Sequence, residues 1–371
     1  MPRNWMPTPL GKVVSLQRGF DLAKEARIPG PFRILSAGKS GETHNEAKVK
    51  GPGFAIGRAT NLGKPQWSDE DFWPLNTTLF ATDFHGNDPR WLFYWFENAD
   101  LTGFDSGSVQ PMLNRNYIAG ISINLPPIEE QTAIATMLRS LDDKITANVR
   151  VLATANELVK NLYTAIPKSS NHAIESIGEL VKKNVKPEEM DESKALINLE
   201  HFDSKQIWIS RHAQVPEATS AKSSFLVGDV LFGKLRPYFH KVGVAPIGGY
   251  CSTDVLVVRP REDSYRGLLL AAMSAEETVA IATQNSNGTR MPRAKWADIA
   301  SCAIPDPDDP KSIELGKLMD VLIPKCNALI HENHVLARTR DELLPLLMSG
   351  RITVGEAEKA ANVADTAASE S

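Results

Sequence analysis

The sequence predicts an α/β (α+β) chain built as an internal duplication: two similar mixed domains related by a pseudo-two-fold repeat, separated by a pair of long helices that form an antiparallel coiled coil. Three observations predict it. Ile134, Leu138, Leu141, Ile145, Leu152, Val159 and Leu162, with Asn148 and Ala155 in the intermediate places, alternate steps of four and three, the heptad seam of a helix that needs a partner helix. The same seam returns 181 residues further on, at Leu315, Met319, Leu322, Cys326, Leu329, Asn333, Leu336, Arg340 and Leu343. Ahead of each seam the chain carries short apolar, strand-like runs broken by Gly and Pro, as a mixed domain does.

The first long helix starts at Pro126-Pro127, which end the preceding strand, and Glu129 and Glu130 fall in its first turn, where negative charge suits the helix dipole. About 30 residues of helix are roughly 45 Å long. The repeat runs without a gap back to Gly107-Ser108-Val109-Gln110-Pro111, which aligns with Gly288-Thr289-Arg290-Met291-Pro292, and forward to Lys144 on Lys325. A looser alignment sets Leu10 to Val14 beside Ile177 to Val181. Such a period is far longer than that of a solenoid, so each copy is a domain plus a helix.

The length of 371 residues suits two domains that each bury a core. With 42% hydrophobic and 23% charged residues, the composition is that of an ordinary soluble chain. No apolar run is long enough for a membrane span, and MPRNWMPTPLGKVV lacks the apolar core of a secretory signal, so a cytoplasmic protein without a membrane partner is expected. Cys251, Cys302 and Cys326 are an odd number at no metal-like spacing, which favours buried free thiols. A net charge of −4 argues against attraction of the whole surface to nucleic acid and leaves room for a local basic face.

In order, residues 1–124 read as the first mixed domain. Gly11 to Arg18 alternates like a strand, Phe54 to Arg58 is a short buried strand, Thr77 to Thr82 is another, Pro89 to Asn98 is a core helix, and Ile118 to Asn124 alternates again. Residues 125–166 are the central helix, and 167–305 repeat the domain plan. There Ile174 to Val181 restarts it, Ala195 to Leu199, Val230 to Phe232 and Val255 to Val258 are strand-like, and Leu268 to Ala282 reads as one helix. Residues 306–350 hold the second long helix, from about Ser312 to Ser349, with Pro324 expected to kink or split it. Residues 351–371 read as a polar tail, disordered at its end.

The residues also carry a family resemblance. LPPIEEQTAIATMLRSLDDKI, FLVGDVLFGKLRPYFHKVGVA, YCSTDVLVV and NSNGTRMPRAKWADI in the later part, with GFAIGRATNLGKPQW, DFWPLNTTLF and SGSVQPMLNRNYIAGISINLPP in the first half, resemble the specificity subunit of Type I restriction-modification systems over nearly the whole chain. The resemblance implies a non-catalytic, DNA-binding subunit used in phage defence and DNA methylation. Two target-recognition domains would each read one half of a split, asymmetric site in double-stranded DNA. The helices would set the gap and dock two copies of a methylation subunit. A restriction subunit would complete the complex, and S-adenosylmethionine, ATP and Mg would bind those partners, with no cofactor in this chain. A rod of about 45 Å matches roughly 13 base pairs at about 3.4 Å per step, enough to hold two readers around one helical turn apart.

The DNA-facing candidates are polar residues at strand ends. Lys234, Arg236 and Lys241 cluster in GKLRPYFHK, where Gly233 and Pro237 suggest a turn and Tyr238 and His240 add hydrogen-bonding groups; Lys and Arg supply most phosphate contacts. The competing reading is that Lys234 and Arg236 cap acidic neighbours such as Asp229. Arg290 and Arg293, after Asn287 and Thr289, suit groove contacts, or else a loop docked on the long helices. In the first domain Arg58 and Lys64 flank the glycine-bounded GRATNLGK, where backbone can approach a phosphate. Ser106, Ser108 and Gln110 correspond to Asn287, Thr289 and Met291, so the same loop is polar in both copies.

Catalytic motifs are not found: the chain has no Gly-x-Gly-x-x-Gly opening a helix, no phosphate loop and no His-Glu-x-x-His. Asn124-Leu125-Pro126-Pro127 only superficially resembles an amino-methyltransferase motif. The carboxylates from Asp306 to Lys311 read as a solvated loop, and His331 and His334 as exposed helix residues short of a third metal ligand. A stand-alone methyltransferase or nuclease is therefore disfavoured. A protein-only adaptor is the other alternative, supported by the pI of about 6.1.

Overall fold

A computed structural model describes residues 4–38, 41–104, 112–215, 220–286 and 291–359. The first copy runs through β1 (Met6–Pro9), β2 (Ser15–Arg18), β3 (Phe32–Leu35), β4 (Thr43–His44), β5 (Gly53–Gly57), β6 (Pro65–Ser68), β7 (Phe72–Pro74), β8 (Thr78–Asp83), α1 (Pro89–Asn98), α2 (Arg115–Ile118) and β9 (Ser122–Leu125) into the long α3 (Ile128–Thr164). The second comprises β10 (Lys168–Ala173), α4 (Ile174–Ile177), β11 (Gly178–Leu180), β12 (Asn184–Val185), β13 (Ala195–Ile197), β14 (Ala213–Gln214), β15 (Lys222–Phe225), β16 (Val230–Gly233), β17 (Val242–Val244), β18 (Gly249–Cys251), β19 (Val255–Pro260), α5 (Arg266–Ser274), α6 (Glu276–Gln284), α7 (Trp296–Ala300) and β20 (Ala303–Pro305), then α8 (Pro310–Met348).

The two copies share one topology. An antiparallel sheet of order β2-β8-β5-β6 in the first is matched by β11-β19-β16-β17 in the second. A second sheet holds a parallel pair, β3 with β7 in one copy and β13 with β18 in the other, flanked by β4 and β14 respectively. The second copy widens that sheet with β12 and β15. In each copy the opening strand pairs with the closing one, β1 with β9 and β10 with β20, so the domain's ends meet where its long helix begins.

Local chemistry explains these elements. In α1, Asp88 caps the first turn by accepting from the amides of Arg90 (2.8 Å) and Trp91 (2.9 Å), Pro89 fixes the start, and Trp91, Leu92, Tyr94 and Phe96 are buried. Strands β5 and β16 are buried along their whole length, so they read as apolar runs rather than alternating ones.

Several expectations need correction. Gly11 to Arg18 is not one strand: Leu10–Lys12 forms a 3-10 turn whose Leu10 and Gly11 amides bond to Ile121 O (2.8 Å) and Ala119 O (2.9 Å), and pairing begins only at Ser15. The helix expected over Leu268 to Ala282 is two, broken at Ala275 with ψ of 141°, where Thr278 Oγ1 bonds Ala272 O at 2.7 Å. Neither Gly nor Pro marks that break. Helix α8 starts at Pro310, because Asp309 Oδ1 accepts from Lys311 N at 2.8 Å. It is not split at Pro324 and continues to Met348; a proline removes one hydrogen bond, and buried Ile323 and Cys326 hold the turn on either side. The expected tail begins with ordered chain: residues 354–359 are helical, capped by Thr353, whose amide donates to Glu356 Oε2 at 2.8 Å, and Ala357 is buried. Thr353-x-x-Glu356 is a capping box legible in the sequence.

The chain divides into two compact units, Met1–Lys144 with Val335–Ser371, and Ile145–His334. Each therefore holds one mixed domain and a segment of each long helix. In the first unit Ile134, Ala135 and Leu138 share a core with Leu343, Leu344, Leu347 and Met348, and Arg340 Nη1 bonds Asp142 Oδ1 at 2.8 Å. In the second, Leu152, Ala155, Val159 and Tyr163 share a core with Leu315, Met319, Ile323, Cys326 and Ile330, and Asn148 Nδ2 bonds Asn333 Oδ1 at 2.9 Å and Glu332 Oε2 at 2.6 Å. Partners descend along α8 as residues ascend along α3, which is antiparallel pairing. The seam drifts from the predicted heptad: Leu162 is 39% exposed whereas Tyr163 is 4%, as expected of a helix nearer 3.6 than 3.5 residues per turn.

Candidate nucleic-acid interface

The candidate surface is built on the hairpin turn that follows the central buried strand of each copy. In the second copy β16 ends at Gly233 and the chain turns through Lys234 to Lys241 into β17. Arg236 and His240 both adopt left-handed backbone, φ 50° each, around the 3-10 turn Pro237–Phe239. Non-glycine residues hold that conformation only when their surroundings impose it, and here they do. Arg236 N donates to Pro292 O (2.8 Å), Ala294 N to Lys234 O (2.9 Å), Lys234 N to Asp254 O (2.9 Å) and Gly233 N to Lys241 O (2.8 Å). Beneath the turn the buried His240 ring meets Ser274 O at 2.9 Å and lies 3.6 Å from Glu276 Oε2. Burial lowers the His240 pKa below its ordinary value, against the pull of that carbonyl and of Glu276.

The sequence-predicted residues divide by what they do. Lys234, Arg236, Tyr238, Lys241 and Arg293 are brought to this one turn. Lys241 Nζ is spent on Leu199 O at 2.6 Å. Arg293 makes a forked pair with Asp254, 2.8 and 3.3 Å, and that hydrogen bonding raises its pKa. Both brace the turn. Asp229 is not capped by Lys234 or Arg236: it is 2% exposed and held by Arg259 through two bonds of 2.8 Å. The segment after the polar loop is strapped to the turn, through the Leu235–Arg293 bridge. Asn287, Thr289 and Arg290 lie outside the described residues.

In the first copy the equivalent turn runs from Gly57 to Pro65 between β5 and β6. It folds back on itself: Gly57 N donates to Lys64 O (3.0 Å) and Gly63 N to Gly57 O (2.9 Å), and Asn61 Nδ2 reaches Ala37 O (2.8 Å). Gly63 takes φ 75°, and a Cβ on Gly57 would collide with the carbonyl oxygens of Thr60 and Asn61, so these glycines are required for the turn. Lys64 Nζ caps α1 at Glu97 O, 2.8 Å away, a favourable place for a cation at a helix C-terminus. Arg58 is half-buried and its carbonyl accepts from Leu113 N at 2.9 Å. That bond is the counterpart of Ala294 N to Lys234 O, with Leu113 and Ala294 separated by the same 181 residues as the seams. Ser108 and Gln110, like Ser106, lie outside the described residues.

Sequence reading missed Phe239, exposed beside Tyr238, and Asp254, the anchor of Arg293. The run of chain without an acidic residue between Asp229 and Asp254 was the available signal. Elsewhere, Asn124 is a paired residue of β9, opposite Pro7, and Asp306 and Asp309 cap local amides. His334 Nε2 lies 2.6 Å from Ser210 O. No group of three His, Cys, Asp or Glu side chains suited to a metal gathers among the described residues. All three cysteines are buried free thiols; burial pushes Cys251 up to about 12 and Cys326 to about 11. No helix among the described residues is long and apolar enough to cross a membrane.

Comparison with known proteins gives the following likenesses. A family model described as "Type I restriction modification DNA specificity domain" matches residues 2–156. The Type I restriction enzyme EcoDI specificity subunit of Escherichia coli is 22% identical over 406 residues, covering 92% of this chain and 86% of that protein. The crystal structure of a Type I restriction-modification S subunit from M. genitalium superposes with a TM-score of 0.62 at 14% identity, covering 93% of this chain and 96% of that one. The HsdS subunit from Thermoanaerobacter tengcongensis aligns over 95% of this chain and 98% of its own, at 15% identity and a TM-score of 0.35. Residues 2–156 thus match a Type I restriction-modification DNA specificity domain, and the chain shares its fold over nearly its whole length with the M. genitalium S subunit.

Proposed function

We propose that this chain is the non-catalytic DNA-reading subunit of a Type I restriction-modification complex, each mixed domain reading one half of a bipartite, asymmetric duplex target. The observation that carries the reading is the matched pair of turns. Each follows the central buried strand of its copy and is strapped by the same backbone bond, Leu113 to Arg58 in one and Ala294 to Lys234 in the other. Cations stand at both, Arg58 and Lys64 in the first, Lys234 and Arg236 in the second.

Helices α3 and α8 set the gap between the half-sites and dock two copies of a methylation subunit, one on each of the two similar helix faces that a duplication provides. Restriction subunits complete the assembly, which works in the cytoplasm. S-adenosylmethionine belongs on the methylation subunits, which flip the target adenine, and ATP and Mg on the restriction subunits.

The test is duplex binding by the chain with and without its methylation subunit. Weak binding alone and tight, sequence-dependent binding in the complex are expected. Log affinity should fall with log salt, because phosphate contacts release counterions. Equal affinity of the complex for all duplexes would contradict the reading. Binding of protein partners with no duplex affinity at all would return the adaptor alternative.

A further inference from the structure

Between Asp229 and Asp254 the chain has no acidic residue, yet Lys234, Arg236 and Lys241 all fall there. The turn they share ends in two aromatic rings turned to solvent: Tyr238 is 53% and Phe239 45% exposed, with centroids 4.8 Å apart. Leaving two large rings in water forgoes the free energy of burying them. The fold does not require them there. The equivalent turn of the first copy, Arg58 to Lys64, closes the same strand pair and contains no aromatic residue.

The rings also stand on a fixed base. Pro237 beneath them is buried, and His240 is pinned to Ser274 O at 2.9 Å. Lys241 is pinned to Leu199 O at 2.6 Å, and the Arg236 amide to Pro292 O at 2.8 Å. An aromatic pair that is rigid and exposed, on a turn whose sequence carries Lys234 and Arg236 just ahead of it and whose Lys241 Nζ lies 6.0 Å from the Phe239 ring, is complementary to one surface in particular, a nucleic-acid groove: phosphates outside, apolar base surface within.

We propose that Tyr238 and Phe239 form an apolar finger by which the second domain reads its half of the target. The rings press against base surface in a groove, such as a thymine methyl or a partly unstacked base step, while Lys234 and Arg236 face the flanking phosphates. This inference rests on the DNA-reading role proposed above.

The test uses the full chain co-purified with its methylation subunit, challenged with a pool of random-sequence duplexes that are selected and sequenced. Wild type, Phe239→Ala, Phe239→Leu and Tyr238→Ala are compared. The exposed positions should leave thermal melting unchanged. Phe239→Ala should lower affinity for the wild-type motif roughly tenfold and erase preference at one or two adjacent positions in one half only. The slope of log affinity against log salt should stay the same, since no phosphate contact is lost. Tyr238→Ala should act in the same half, and Phe239→Leu should be milder than Phe239→Ala. Identical motifs and affinities in wild type and both alanine variants would overturn the finger while leaving the DNA-reading role intact. So would loss of the methylation subunit on co-purification, which would make the rings a protein contact. If wild type itself enriches no sequence, the role falls and takes the finger with it.

Discussion

In the first copy the turn after the central strand folds back into itself, closed by Gly57, Asn61 and Gly63; in the second the corresponding turn stands out from its base, carrying Arg236, Tyr238 and Phe239. The strands on either side pair in the same order, and the backbone strap from Leu113 or Ala294 is the same bond. A duplicated scaffold therefore preserves what backbone hydrogen bonding dictates and leaves the turn side chains free to differ. The helix segments teach the same lesson. One unit joins them by an ion pair, Asp142 with Arg340, and the other by an amide pair, Asn148 with Asn333.

The largest test of that contrast lies in the two glycines that open the turns. Gly57→Ala drives a Cβ into two backbone carbonyls, whereas in Gly233→Ala the nearest atom is Leu199 Cδ2 at 2.8 Å, the end of a flexible side chain. Gly57→Ala should cost about 3 kcal/mol and Gly233→Ala about 1 kcal/mol, read as separate falls in thermal midpoint. Equal losses would mean that the two turns are closed in the same way.

Next come the helix pairs. Asp142 accepts from Arg340 at 2.8 Å and from Tyr94 Oη at 2.6 Å, so Asp142→Ala takes the acceptor from a buried phenol and one of the acceptors from a partly exposed guanidinium. A loss of about 2 kcal/mol is expected after allowing for solvent screening. Asn148→Ala removes bonds from a neutral amide to Asn333 Oδ1 and Glu332 Oε2 without breaking an ion pair, and should cost about 1 kcal/mol. If the Asn148 variant proved the more damaging, the amide pair would be the principal lock between the helices.

A smaller effect separates the copies by pH. The folded pKa of His240 is depressed by burial, so the unfolded chain takes up the proton first as pH falls below about 6.5. Stability from this group is full above that value and declines as pH drops towards the folded pKa. His240→Gln should flatten that part of the melting-against-pH curve; an unchanged curve would show that the ring titrates normally.

The smallest signal is the most local. Every cysteine lies in the second unit, buried, with the thiol pKa raised, so alkylation of the native protein at neutral pH should be slow. Gly233→Ala should accelerate it and Gly57→Ala should not, because only the former loosens the unit that holds the thiols.

How much of this the sequence could reveal depends on where each signal lives. The repeat, the seams and helix Pro89–Asn98 were legible because periodic burial and the Asp-Pro start are local patterns. The break at Ala275 was not, since it is set by Thr278 reaching back to Ala272 and no residue type announces it. At the turn, Lys234 and Arg236 could be chosen from charge alone. That Lys241 and Arg293 brace the turn through Leu199 O and Asp254 depends on tertiary neighbours, and so does the exposure of Phe239 in a stretch that otherwise looks like strand ends.

The central claim, one reader per copy, is tested most directly by exchanging residues 1–124 for another recognition domain and sequencing the methylated sites of cells that carry the exchanged chain. The account predicts that one half of the methylated sequence changes while the other half and the gap between them stay as they were. A change in both halves, or in neither, would contradict it.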